Sequence, residues 1–114
     1  MDCIFCKIAN KEIPADIVYE DDAVLCFRDL APQAPVHVLI IPKEHIGSLD
    51  DLSETPEHKA LSGHLLTKVR FIADLLGLES GYRIVCNQGQ DGLQTVGHLH
   101  IHLLGGRRME WPPG

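Results

Sequence analysis

The stretch His98-Leu99-His100-Ile101-His102-Leu103-Leu104 restricts the fold more than any other part of the chain. Imidazole and apolar side chains alternate strictly, and successive residues of a β-strand project to opposite faces. A strand here buries Leu99, Ile101 and Leu103 against a core and presents three imidazoles on its other face. The predicted strand runs from His98 to Leu104 and is ended by Gly105-Gly106. Each two-residue step covers about 6.5–7 Å, so the rings stand in a row. With an ordinary pKa of about 6.5, an imidazole is both nucleophile and proton donor near neutral pH.

Around this segment the remaining elements fall into a simple pattern. Residues 17–29 read as two short strands, Ile17-Val18-Tyr19-Glu20 and Ala23-Val24-Leu25-Cys26-Phe27, about a tight Asp21-Asp22 turn. Val36 to Ile41 is a dense β-branched and apolar strand closed by Pro35 and Pro42. Residues 55–76 predict a helix. Thr55 caps it, Pro56 suits its first turn, and Glu57 complements the positive end of its dipole. Leu61, Leu65, Val69, Ile72 and Leu76 line one face, and Gly77 stops it. Tyr82 to Asn87 reads as a further strand, and Gln88 to Gly97 as a Gly-bearing loop. Hairpin-linked strands with one long helix between them predict an α+β fold, an antiparallel sheet with a helix on one face. With no repeat, low-complexity tract or linker, residues 1–114 read as a single domain. Its tail, 107–114, ends in Trp-Pro-Pro-Gly, which continues no regular element.

Composition narrows the class of function. The chain has 114 residues, 45% of them apolar, enough for one core. Ten Lys and Arg against sixteen Asp and Glu leave a formal charge of −6. Nucleic-acid backbones are gripped by clustered cations, so nucleic acid is an unpromising partner. No run approaches the roughly 20 apolar residues that span a bilayer, and Met1 to Lys7 lacks the charge pattern of an export signal. Four cysteines in that setting read as reduced thiols or metal ligands of a cytoplasmic protein.

The histidines admit more than one chemistry. Polar alternation and metal chelation are the ordinary reasons for His-x-His on a strand. One zinc held by all three imidazoles fits poorly, because His98 and His102 stand about 13 Å apart on an extended strand while zinc bonds are about 2 Å. Cys3-x-x-Cys6 is a zinc half-site in its own right, within residues 1–7. A thioredoxin-like role fails, since no βαβ unit follows it. Cys26 and Cys86 read as small buried hydrophobes. His58 and His64 read as helix residues at the solvent edge.

His98 to Leu104 resembles the signature of the histidine-triad superfamily, and the likeness extends over nearly the whole chain. Ile4-Phe5-Cys6-Lys7-Ile8, Glu12-Ile13-Pro14-Ala15, Phe27-Arg28-Asp29-Leu30, Pro32 to His37, Ile41 to Ile46 and Gly105-Gly106-Arg107 resemble its nucleotide-binding (Hint) branch. So does the terminal Trp111-Pro112-Pro113-Gly114, which sets that branch apart from diadenosine-polyphosphate hydrolases. The resemblance implies a sheet of about five strands, one long helix, a short N-terminal helix, and a homodimer whose sheets join. It implies a purine nucleoside phosphoramidase that cleaves adenosine 5′-phosphoramidates to AMP and an amine, with no cofactor needed for the reaction.

In that arrangement His100 is the nucleophile, and a hydrogen bond from its other ring nitrogen to a backbone carbonyl would fix the reactive tautomer. His102 and Thr95 hold phosphoryl oxygens and deliver a proton, while His98 and His37 support the row. Thr95 stands where many relatives have Ser. Asn87, Leu93, Gln94 and Thr95 match the phosphate loop, and Asp29 the ribose acid. Phe5, Ile8, Ile13, Phe27 and Leu30 match the purine slot. Relatives with a Cys pair complete a structural zinc site with residues that correspond here to His45 and His98. A diadenosine-polyphosphate hydrolase, or a nucleotide-binding regulatory or scaffold protein with incidental catalysis, are the competing functions.

Overall fold

The computed structural model describes residues 2–114, so of the expected N-terminal segment 1–7 only Met1 lies outside the described residues. The elements follow in the order α1 (Ile4–Ala9), β1 (Ile17–Glu20), β2 (Val24–Arg28), β3 (Val36–Pro42), a single 3-10 turn (Leu49–Asp51), α2 (Pro56–Leu75), β4 (Tyr82–Val85) and β5 (Ile101–Gly105). The five strands form one antiparallel sheet in the order β1-β2-β3-β5-β4. The last strand in sequence is therefore inserted beside the central one, and β4 is left as an edge. The α+β class and the pair of helices are as expected.

Side-chain alternation sorts the strands into two cores. Val24, Cys26, Val38, Ile40, Ile101 and Leu103 face α2 and pack with its Leu65, Val69, Ile72 and Ala73. Leu25, Phe27, Leu39 and Ile41 face the other way and pack with Cys3, Phe5 and Ile8 of the α1 region. Neighbours along β2 and β3 thus serve opposite layers, as the period of two requires.

The helix α2 is built as its sequence predicts. The Thr55 hydroxyl accepts from the His58 amide at 3.3 Å, capping the first turn. Leu65, Val69 and Ile72 are buried, with Leu61 and Leu76 partly buried at the ends of the same stripe. Gly77 leaves the helix at φ +73. The Leu78 amide then reaches the Ala73 carbonyl and the Gly77 amide that of Asp74, the paired closure that a left-handed residue permits.

The histidine strand is shorter than its alternation predicts. Pairing with β3 begins at Ile40 opposite Ile101, so His98, Leu99 and His100 precede the strand. The next pairs would place Pro42 in the ladder. Proline has no N–H to give, and its carbonyl accepts instead from His98 Nε2 at 2.8 Å. The Leu99 amide leaves the ladder and bonds the Ile46 carbonyl at 2.6 Å. Leu99 is still buried with Ile101 and Leu103, as expected. The strand over 82–87 likewise ends at Val85, where the Asn87 side chain turns to bond the Gly92 carbonyl at 2.6 Å.

Candidate active site and metal centre

His37 on β3 and His102 on β5 lie on the α1 side of the sheet. The register sets Leu39 opposite His102 and His37 opposite Leu104, so the two imidazoles are diagonal neighbours. His37 Nε2 and His102 Nδ1 are 2.9 Å apart. The direction of that hydrogen bond follows from its far end. The backbone N–H of Gln33 donates to His37 Nδ1 at 3.0 Å, so the proton of neutral His37 is on Nε2 and is donated to His102. His102 then carries its own proton on Nε2, which points away from the pair. Burial, with His100 and His37 nearby, lowers the His102 pKa, and the Asp29 carboxylate opposes the shift. His102 is consequently neutral at pH 7.

His100 sits 5.0 Å from His102, ring centroid to centroid. Its Nδ1 donates to the His98 carbonyl at 2.6 Å. That bond leaves Nε2 unprotonated, the tautomer expected from the chemistry of a nucleophile. Among the described residues Nε2 has no hydrogen-bond partner, yet no buried side-chain nitrogen or oxygen is left unpaired. The atom is therefore reachable from outside. The edge of the Phe5 ring packs on His100 at 5.2 Å and holds its plane.

Other expected site residues are placed unevenly. Asp29 accepts the Ala31 amide at 2.8 Å through one carboxylate oxygen, and the other lies 3.5 Å from His37 Nε2. Phe5, Ile8 and Phe27 are buried in one cluster with Ile13 packed against it, whereas Leu30 is fully exposed. The 88–97 loop is held from inside. Asn87 grips Gly92, and Gln94 Nε2 donates to the Gly47 and Val96 carbonyls at 2.8 and 2.9 Å. A Cβ at Gly92 would come within 2.3 Å of the Gln88 carbonyl, so only glycine closes this turn. Leu93 follows with φ 59, and its side chain is exposed at the tip. Thr95 is exposed and lines a cleft of about 560 Å³ with Cys3, Lys7, Ile13 and His45.

The first histidine of the row has a different employment. His98 is fully buried and its Nδ1 lies 3.3 Å from Cys3 Sγ and 3.6 Å from Cys6 Sγ. His45 Nδ1 lies 3.2 Å from Cys6 Sγ. The four donor atoms are all within 4.8 Å of one another. Tetrahedral zinc with ordinary bond lengths puts sulfur and nitrogen ligands about 3.6 Å apart, so this donor set fits the ion. Burial, with His45 and His100 nearby, lowers the His98 pKa against the pull of the Pro42 carbonyl. Ligation requires that neutral ring, and the Nε2–H bond to Pro42 orients it. Burial and the adjacent Cys3 raise the Cys6 pKa, the expected result for two thiols together without a cation.

The remaining candidates are structural. Burial pushes the Cys26 thiol up to about 12 and raises that of Cys86, so both behave as small apolar groups. His58 meets Glu44 at 3.0 Å and His64 meets Asp21 at 2.8 Å at the helix edge. Sequence reasoning missed the Gln33 amide, which sets the direction of the imidazole pair. It also missed Arg107, whose guanidinium donates to the Gln33 carbonyl at 3.1 Å. Both lie in stretches that carry the family resemblance, but a main-chain donor leaves no side-chain signature.

Residues 10–109 match the protein family described as HIT domain. A HIT-like protein of Synechococcus elongatus is 64% identical over 99% of this chain and 97% of its own. A 14 kDa zinc-binding protein of Brassica juncea is 50% identical over 99% of this chain and 100% of its own. Among solved structures, a HIT family hydrolase of Legionella pneumophila superposes with a TM-score of 0.95 at 50% identity, covering 99% of this chain and 100% of that one.

Proposed function

The chain belongs to the HIT family, and from that premise we propose that it is a purine nucleoside phosphoramidase of the Hint type. The observation that carries the reading is the opposed pair of tautomers. His100 offers a bare Nε2, fixed by its bond to the His98 carbonyl, beside His102, whose Nε2 bears a proton. One nitrogen is ready to attack phosphorus and its neighbour to protonate a departing amine.

In the proposed reaction Nε2 of His100 forms a bond to phosphorus as the bond from phosphorus to the amine breaks. The amine leaves with that electron pair and takes the proton from His102 Nε2. The imidazolate formed is held by the His37 Nε2–H bond beside the cationic nucleotidyl-imidazole. The nucleotidyl-imidazole is cationic, and its Nδ1–H strengthens the bond to the His98 carbonyl. A water then gives a proton to His102, attacks phosphorus and breaks the bond to His100, releasing AMP. Asp29 holds the ribose hydroxyls, and Asn87, Leu93, Gln94 and Thr95 shape the phosphate loop. Phe5, Ile8, Ile13, Phe27 and Leu30 border the purine. Cys3, Cys6, His45 and His98 hold a structural zinc, whose contribution is to fasten α1 to the loops behind the site.

The homodimer belongs to the same reading. The edge strand β4 exposes Tyr82 and Ile84, and Leu66 of α2 is exposed beside it. An apolar hollow of about 190 Å³ lined by Leu49, Leu52, Leu65, Leu66, Ile84 and Cys86 adjoins that edge. A second copy paired along β4 would cover it. Four free thiols suit a reducing compartment, and among the described residues no helix is long and apolar enough to cross a membrane. We place the activity in the cytoplasm.

The test is hydrolysis of adenosine 5′-phosphoramidate followed by AMP release, with a diadenosine polyphosphate as the competing substrate. The expected result is preference for the phosphoramidate and a loss of at least about 10³-fold in kcat for His100→Ala. Faster cleavage of the diadenosine compound would select the competing hydrolase. Tight AMP binding with negligible turnover on either would select the regulatory role.

A further inference from the structure

We propose that His98 is a positioning residue that couples the metal centre to the nucleophile. A cation at Cys3, Cys6, His45 and His98 and a nucleotide at His100 would then each tighten the other's binding. The inference rests on the function proposed above and concerns how its two sites are joined.

Every polar atom of His98 outside its amide is committed in a different direction. Nδ1 faces the two sulfurs at 3.3 and 3.6 Å, Nε2 donates to Pro42 at 2.8 Å, and the carbonyl takes the His100 Nδ1–H at 2.6 Å. The following amide, of Leu99, is bonded to Ile46, the residue after His45. Two of the four metal donors therefore head segments that are tied to each other, and the nucleophile hangs from one of them. A second connection runs through α1. Phe5 lies between Cys3 and Cys6, and its ring meets His98 at 5.9 Å and His100 at 5.2 Å. Six residues of helix are too few to hold their own shape, so the clamp on the two cysteines sets where Phe5 stands.

Without a cation only weak thiol hydrogen bonds hold the His98 ring on the sulfur side, and its carbonyl is held less firmly. The His100 ring then samples the other tautomer, in which Nε2 carries the proton and cannot attack. A nucleotide whose purine packs against Phe5 favours the α1 position that the two cysteines set, and with it the His98 position that ligates. Thermodynamic linkage makes the two effects equal.

The experiment uses the full chain loaded with zinc. Zinc loss to a chromogenic chelator is titrated with and without saturating AMP, and AMP binding is measured by calorimetry on loaded and chelator-treated protein. A shared factor of about tenfold is expected in both directions. His45→Ala and His98→Ala each remove one nitrogen donor. Coupling should persist in the first and vanish in the second, whereas equal protection by AMP in both would reduce the effect to general stabilisation and overturn the proposal. Nitrogen-15 spectra supply a readout independent of activity. His100 should show a single Nδ1–H tautomer when zinc is bound and an averaged signal after chelation, and a signal unchanged by chelation would overturn the coupling. If the loaded chain binds no AMP, the functional reading falls and the coupling with it; if the chain takes up no zinc, the coupling falls and the functional reading stands. If both bind independently, only the coupling falls.

Discussion

His37 is buried, makes no contact that chemistry would need from it directly, and still decides what its neighbour can do. By accepting from a main-chain amide it is left with one proton to give, and it gives that proton to His102. Replacing it with alanine leaves His102 free to adopt either tautomer and removes one of the neighbours that lower the His102 pKa. His37→Ala should lower kcat by at least about tenfold while KM changes little. The His102 pKa then rises toward its ordinary value, so the acid limb of the kcat profile moves to higher pH. A pH–rate series on both proteins checks this, and an unmoved limb with intact kcat would show the pair to be idle. Sequence reasoning expected a backbone carbonyl on the second ring nitrogen of His100, and the His98 carbonyl is there. It could not reach the Gln33 amide, because any residue in that loop could supply the same N–H.

Between elements, the Asp21 turn ties β1, β2 and α2 together. Its carboxylate accepts the Ala23 and Val24 amides at 2.8 Å each, the Tyr19 hydroxyl at 2.9 Å and His64 Nε2 at 2.8 Å. Partial burial alone would raise its pKa, but these donors outweigh burial and hold it well below the usual carboxylate range. A carboxylate lowered in the folded state contributes stability above its unfolded pKa of about 4, and that contribution is lost as the pH falls through the folded value. Asp21→Asn should cost about 1–2 kcal/mol at pH 7 and show a shallower decline of stability below about pH 4. Urea titrations at several pH values test it; parallel declines in the two proteins would remove the turn from the account. The sequence marked this turn, the strands beside it and all of α2, whose cap, stripe and stop are local signals. It placed the start of β5 three residues early because alternation continues through His98, while the end of the ladder depends on Pro42 in a distant strand.

At the scale of the molecule, the open edge at β4 predicts the assembly. The tail stays near it, with the Arg83 guanidinium bonded to the Glu110 carbonyl at 2.8 Å and 6.0 Å from the Trp111 ring. Sedimentation should give twice the chain mass of 12.6 kDa, and Ile84→Glu should return the single chain by placing a charge in the hollow. A wild-type chain that sediments alone at micromolar concentration would refute the paired edge. Fold class and the Cys3–Cys6 half-site were legible because both rest on residue types at fixed spacings, while His45 and His98 came from the family resemblance alone. The direct pairing of His37 with His102 was not legible, since it follows from the register of β3 on β5.

That sheet has a helix on each side, and the sides differ in employment: α2 covers hydrocarbon alone, while α1 covers hydrocarbon and imidazoles together. Adjacent positions on β3 therefore serve separate layers, Val38 and Ile40 the α2 core, Leu39 and Ile41 the α1 core. Mutational damage along this strand should lower cellular abundance on both beats of the alternation, and only at His37 should turnover per surviving molecule fall further than abundance.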